Sequence, residues 1–254
     1  RVVVTGLGTV NAAARSASSF HRALRAGHCG IGPVTVFDAT EFRTQTGGEV
    51  REFDPRAMLP HSISLKRLSR SDAMAMVAAI EALNDAGLFP LPEHLRPEVG
   101  VVIGGGAGGM LECEVVYRDY LLGGGKRPAY SAFAAFGCAS SADQIAGQLR
   151  LMGPKTTFMT ACSSGATAID YARDLVQTGA ATAIVCGGTE PLCRITYSAF
   201  NSLQAVDPQY CKPFDKNRQG MSLGEGAGVM ILEELGHARQ RGARLVDQEA
   251  AQRA

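Results

Sequence analysis

Five short apolar runs stand out along the chain. Arg1–Thr5 closes on Gly6 and Gly8, and Val99–Ile103 runs into Gly104. Lys155–Thr160, β-branched and aromatic after Pro154, is the third. Thr182–Cys186 ends at Gly187 and Gly188, and Gly226–Leu232 is the last. Runs of this length and continuity predict buried strands. Helical spacing fills the intervals. Ser16–Ala26 ends at Gly27. Ser69–Ala86 places Ala73, Met76, Val77, Ile80 and Leu83 on one face and stops at Gly87. Further helices are predicted over Leu111–Leu122, Ala139–Leu149 and Gly236–Arg244. Residues 28–62 mix Gly, Pro and scattered charge and read as surface loops with room for a hairpin. Strands alternating with helices predict an α/β fold: a mostly parallel five-stranded sheet with helices on both faces.

Composition narrows the function classes without choosing one. The 254 residues are 46% hydrophobic with 30 glycines, enough for one large α/β domain or two small ones. A net charge of +1 singles out neither a nucleic-acid binder nor an acidic surface. No apolar stretch reaches membrane-spanning length. A strand pattern that begins at Arg1 leaves no signal peptide to expect. The seven cysteines are irregularly spaced, without a C-x-x-C, and the five histidines lack ligand spacing. That argues against a disulfide framework and a metal site, and for a reduced, cytoplasmic setting.

The most informative stretch is Lys155–Gly165. Extended backbone to Thr160 gives way after Cys162 to a helix with Ala166, Ala168, Ile169, Ala172, Leu175 and Val176 at helical spacing and Gly179 as its stop. Ser163, Ser164 and Gly165 are small enough for a sharp strand-to-helix turn. Cys162 then sits at a helix N-terminus, where unpaired N–H groups and the helix dipole favour the thiolate. This is the logic of a nucleophile elbow. Against it stands the commoner fate of cysteine, burial as a small hydrophobe, which spacing alone slightly favours.

A second turn, Gly104–Gly109, satisfies G-x-G-x-x-G between a strand and a helix. The acidic residue expected about twenty positions later is absent, so a dinucleotide-binding oxidoreductase ranks last. The glycines read instead as backbone passing close to something, such as an active-site wall.

Several motifs in one order resemble the N-terminal half of a β-ketoacyl synthase (ketosynthase) of the thiolase-like fold. They are Arg1–Gly8, Gly30–Pro33, Ile103–Gly109, Thr160–Gly165, Cys186–Glu190, Lys212–Asp215, Arg218–Gly220 and Leu223–Gly228. The resemblance covers residues 1–245 and leaves a polar tail at 246–254. It implies acyl transfer and decarboxylative Claisen condensation of acyl and malonyl carrier-protein thioesters, in fatty-acid or polyketide synthesis. Cys162 matches the nucleophile, with its own backbone N–H a candidate oxyanion donor. Gly106, Gly108 and Phe200 are the substrate-binding candidates. Lys66, Arg67 and Arg70, with Lys126 and Arg127, would dock an acidic acyl carrier protein, though ordinary solvated charge is the plainer reading of each. Glu225 and Asp215 would be buried carboxylates paired with backbone or with Arg218. No cofactor, metal, nucleic acid or membrane insertion is implied. Partners would be the carrier protein and a second ketosynthase-like subunit, as homodimer or heterodimer. The family's two active-site histidines and a lysine belong to its second half, which these residues do not match. The alternatives are therefore a non-catalytic partner subunit of the chain-length-factor type, or a truncated inactive product.

Overall fold

The computed structural model describes residues 1–123 and 130–246. In chain order the elements are β1 (Val2–Asn11), α1 (Ala17–Arg25), β2 (Gly32–Pro33), β3 (Thr46–Gly47), α2 (Pro55–Met58) and α3 (Arg70–Asp85). They continue with β4 (Val99–Gly104), α4 (Met110–Leu122), α5 (Ser140–Leu149), β5 (Lys155–Phe158) and α6 (Ser164–Gln177). β6 (Ala183–Glu190), α7 (Arg194–Ser202), β7 (Gly226–Glu234) and α8 (Leu235–Gln240) complete the set. The five apolar runs all become strands of one sheet, ordered β1-β7-β6-β4-β5. In the 28–62 excursion, β2 and β3 pair as a minimal antiparallel ladder.

Strand direction differs from the simplest reading of the alternation. β4 pairs in parallel with β5 and β6, but β7 runs antiparallel to both β6 and β1. The sheet is therefore mixed. The reason lies between β6 and β7: after α7 the chain wanders through 203–225 and re-enters beside β6 from the opposite end, so no crossover helix enforces parallel pairing.

α3 and α5 cover one face of the sheet and α6 the other, with an apolar core on each side. α3 starts with a capping box, in which the Ser69 hydroxyl accepts from Asp72 N–H and the Asp72 carboxylate accepts from Ser69 N–H. The Asp72 carboxylate also accepts from the Ser140 and Ser141 hydroxyls, so one buried charge ties the starts of α3 and α5 together. α3 is buried almost all round and presses on β1, where a Cβ on Gly8 would stand 2.0 Å from the Ala78 carbonyl oxygen.

Candidate active site

β4 ends in Gly104, which pairs beside Gly188 within β6, and α6 begins across these two glycines. A Cβ on Gly104 would lie 2.3 Å from the carbonyl carbon and oxygen of Ser164, so only glycine lets the first turn of α6 sit this close to the sheet. The chain reaches that position through a tight turn after β5. Ala161 carries the strain at φ +52°, a left-handed conformation that a Cβ disfavours. Ser163 N–H and its hydroxyl donate to the Thr160 carbonyl, the Ser164 hydroxyl donates to the Ala161 carbonyl, and Thr160 N–H donates to the Ser164 hydroxyl oxygen. Cys162 sits at the apex, exposed, in the single 3-10 turn Ala161–Ser163 that leads into α6. The predicted elbow is present, with its strained residue one position ahead of the cysteine.

Cys162 opens on a cavity of about 500 Å³. Most of its wall comes from four places: the turn after β4 (Gly104–Gly106), the α6 start (Cys162, Ser164, Gly165), the end of β6 with the link to α7 (Gly188–Cys193), and Thr196, Tyr197 and Phe200 of α7. Leu223, Gly224 and Gly226 close the remaining side. The structure thus brings Cys162, Gly106 and Phe200 together. Gly108 is not part of the wall. It is buried at φ +53°, and a Cβ there would meet the Phe136 carbonyl oxygen at 2.5 Å, so it serves turn packing against 136–138. None of the five histidines lines the cavity.

Two other thiols near the site, Cys186 and Cys193, are fully buried. Burial pushes the Cys186 thiol up to about 12, which leaves it inert as a nucleophile. Burial, and then the charges of Glu114 and Glu190, push Cys193 up against the opposing hydrogen bonding of Thr196. None of the seven cysteines forms a disulfide.

Two carboxylates that spacing did not mark shape the cavity. Glu114 of α4 accepts from the N–H groups of Arg194 and Ile195, at 2.9 and 2.6 Å, and so caps α7 from another element. Glu190 accepts from Gly106 N–H and Ala107 N–H, each at 2.8 Å, and holds the glycine turn as a wall. From the other side the Cys138 thiol donates to the Gly106 carbonyl at 2.9 Å.

The basic candidates divide. Lys66 and Arg67 are exposed on the loop before α3, and Lys66 lines a surface cavity with Arg56 and His61. Arg70 does not join them. Its guanidinium turns inward onto Glu225, with Nη2–Oε1 at 2.6 Å and Nε–Oε2 at 2.9 Å, and donates to the Val50 carbonyl. Glu225 is fully covered and needs that cation, so Arg70, not Arg218, is its partner. Asp215 is exposed and accepts from Asn217 N–H, while Arg218 donates to its backbone carbonyl. Lys126 and Arg127 lie outside the described residues.

Comparison with known proteins agrees with this geometry. A family model described as "Beta-ketoacyl synthase, N-terminal domain" matches residues 1–238. The 3-oxoacyl-[acyl-carrier-protein] synthase 2 of Synechocystis sp. is 39% identical, over 96% of this chain and 60% of that protein. The ketoacyl synthase alpha subunit of the tetracenomycin polyketide synthase of Streptomyces glaucescens is 34% identical, again over 96% and 60%. Among solved structures, the ishigamide ketosynthase/chain length factor superposes with a TM-score of 0.88 at 32% identity, covering 96% of this chain and 61% of its own. The chain thus spans about three fifths of the length of these relatives. An elbow cysteine over the paired glycines of β4 and β6, in a chain matched nearly end to end by that model, places this chain in the β-ketoacyl synthase family as its N-terminal domain.

Proposed function

We propose that this chain is the nucleophile-bearing domain, residues 1–245, of a 3-oxoacyl-[acyl-carrier-protein] synthase of fatty-acid or polyketide assembly. The observation that carries the reading is Cys162, exposed at a helix start and facing a mostly apolar cavity. The Cys162 thiolate attacks the carbonyl of an acyl thioester delivered by a carrier protein. A new C–S bond forms, the bond to the carrier sulfur breaks, and the departing carrier thiolate takes up a proton in place of the one Cys162 gave up on ionising. The acyl chain then lies along Phe200 and Gly106. The Cys162 backbone N–H would donate to the developing oxyanion. Condensation needs a group that polarises the malonyl carbonyl, and no histidine of this chain lines the cavity. Those groups come from residues beyond these 254 or from a partner subunit.

Partner binding fits the same reading. Lys66, with Arg56 and His61 beside it, and the adjacent exposed Arg67 form the docking face for an acidic carrier protein. The relatives' solved structures include an acyl carrier protein in complex with its ketosynthase, at 25% identity and a TM-score of 0.80. A second ketosynthase-like subunit would cover the flank around β5, where Met152 and Met159 are about two-thirds exposed and Tyr171 is 39% exposed.

Intact mass after incubation with acyl-loaded carrier protein tests the proposal. One acyl adduct that survives in wild type and vanishes in Cys162→Ala is expected. A thiol that never takes up an acyl group would leave the non-catalytic, chain-length-factor type of subunit as the reading.

A further inference from the structure

Glu190 is the acidic side chain among the residues lining the cavity, whose other members are glycines, alanine, cysteines, serine, threonines, proline, leucines, tyrosine and phenylalanine. Its carboxylate is fixed, since both oxygens are held at 2.8 Å by the Gly106 and Ala107 N–H groups. Among the described residues no lysine or arginine pairs with it. Its charge is felt by its neighbours, since after burial it contributes to raising the thiols of Cys138, behind the glycine turn, and of Cys193, on the cavity wall. A round cavity of about 500 Å³ is about 10 Å across, so a chain end seated near its middle lies within roughly 8 Å of that charge. At an effective dielectric near 20, two like charges at this separation disfavour each other by roughly thirtyfold in an equilibrium constant. An open mouth lowers this to about tenfold.

Resting on the acyl-transfer reading above, we propose that Glu190 is a specificity-determining residue that admits uncharged acyl chains to Cys162 and turns away chains ending in a carboxylate. The two substrates of a condensing enzyme differ in this respect. The chain to be carried on the cysteine is neutral, and the extender that must not be loaded there is an acid. A fixed carboxylate on the cavity wall separates them before chemistry begins, by repulsion rather than by fit.

The test uses a shape-matched pair, the pentanoyl and glutaryl thioesters of N-acetylcysteamine, with the rate of Cys162 adduct formation read by intact mass. The quantity read is the pentanoyl-to-glutaryl ratio, which cancels any general change in the site. Wild type is expected to prefer pentanoyl by about tenfold or more. Glu190→Gln keeps the side-chain shape but not the charge and brings the ratio below about threefold. Glu190→Asp shortens the brace but keeps the charge and holds the ratio near wild type. A wild-type ratio near one, a Gln ratio within twofold of wild type, or an Asp ratio that falls with Gln would overturn the proposal. Failure of wild type to take up pentanoyl would instead sink the acyl-transfer reading, and this inference with it.

Discussion

At the scale of single residues, the site depends on a few side chains whose roles neighbours decide. Ala161 holds a left-handed turn so that Cys162 can stand at the helix start. Arg70 and Lys66 are four positions apart, yet one neutralises a covered glutamate and the other faces solvent. Their substitutions should therefore separate cleanly. Arg70→Ala leaves Glu225 buried without its cation and is expected to cost about 3 kcal/mol in urea unfolding. The double variant Lys66→Glu, Arg67→Glu should change unfolding by no more than about 0.5 kcal/mol. It should lower the carrier-protein rate about tenfold relative to the small-thioester rate, and more so at low salt. An unchanged ratio would remove the docking role.

At the scale of elements, the fold works by pinning helix ends with distant groups. The N-terminus of α7, and with it Phe200, is capped by Glu114 from α4. No signal local to Arg194–Ser202 marks that helix, whose N-cap Cys193 makes no side-chain cap bond. α8 is held in the same manner. Glu233 at the end of β7 is fully covered and accepts from Arg241 at 2.7 Å through both oxygens and from the Thr5 hydroxyl at 2.8 Å. Burial alone would raise its pKa, but the hydrogen bonds from Arg241, Thr5 and His237 outweigh it and hold the carboxyl below its usual 4.5. A folded-state value below the unfolded one contributes stability that is present at neutral pH and lost as pH falls through the carboxylate range. Arg241→Ala should cost about 3 kcal/mol at pH 7 by chemical denaturation, with the gap to wild type narrowing below pH 4.5. A gap that stays constant into acid would show that the ion pair is not its source.

At the scale of the whole molecule, the two sheet faces are unequal. α3 and α5 together bury one face, while α6 is the helix packed on the other, and Val2, Val4 and Met230 remain partly exposed beside it. The edge strand β5 leads directly into the Cys162 turn, so whatever covers that edge borders the site. Met152, Met159 and Tyr171 near this edge are exposed apolar side chains that a covering subunit would bury. Small-angle scattering at increasing concentration is expected to report a particle larger than one 26.7 kDa chain. A monodisperse monomer would set aside the covering subunit.

Local pattern by itself determined the positions of all five sheet strands, most of the helices and the turn that bears Cys162. Continuous apolar runs, glycine stops and helical spacing act over a few residues and survive in any tertiary setting. Motif order along the chain likewise pointed to the family. Other features required the assembled fold. The direction of β7, the cap on α7, the inward turn of Arg70 and the exclusion of Gly108 from the cavity wall each depend on groups brought together from far along the chain. Glu190 shows the difference most plainly: its motif could be read from the order of residues, but its carboxylate acquires a role only where β6 and the turn after β4 meet. Hydrogen bonds and charge pairs across such distances follow from packing, and packing is a property of the folded chain as a whole.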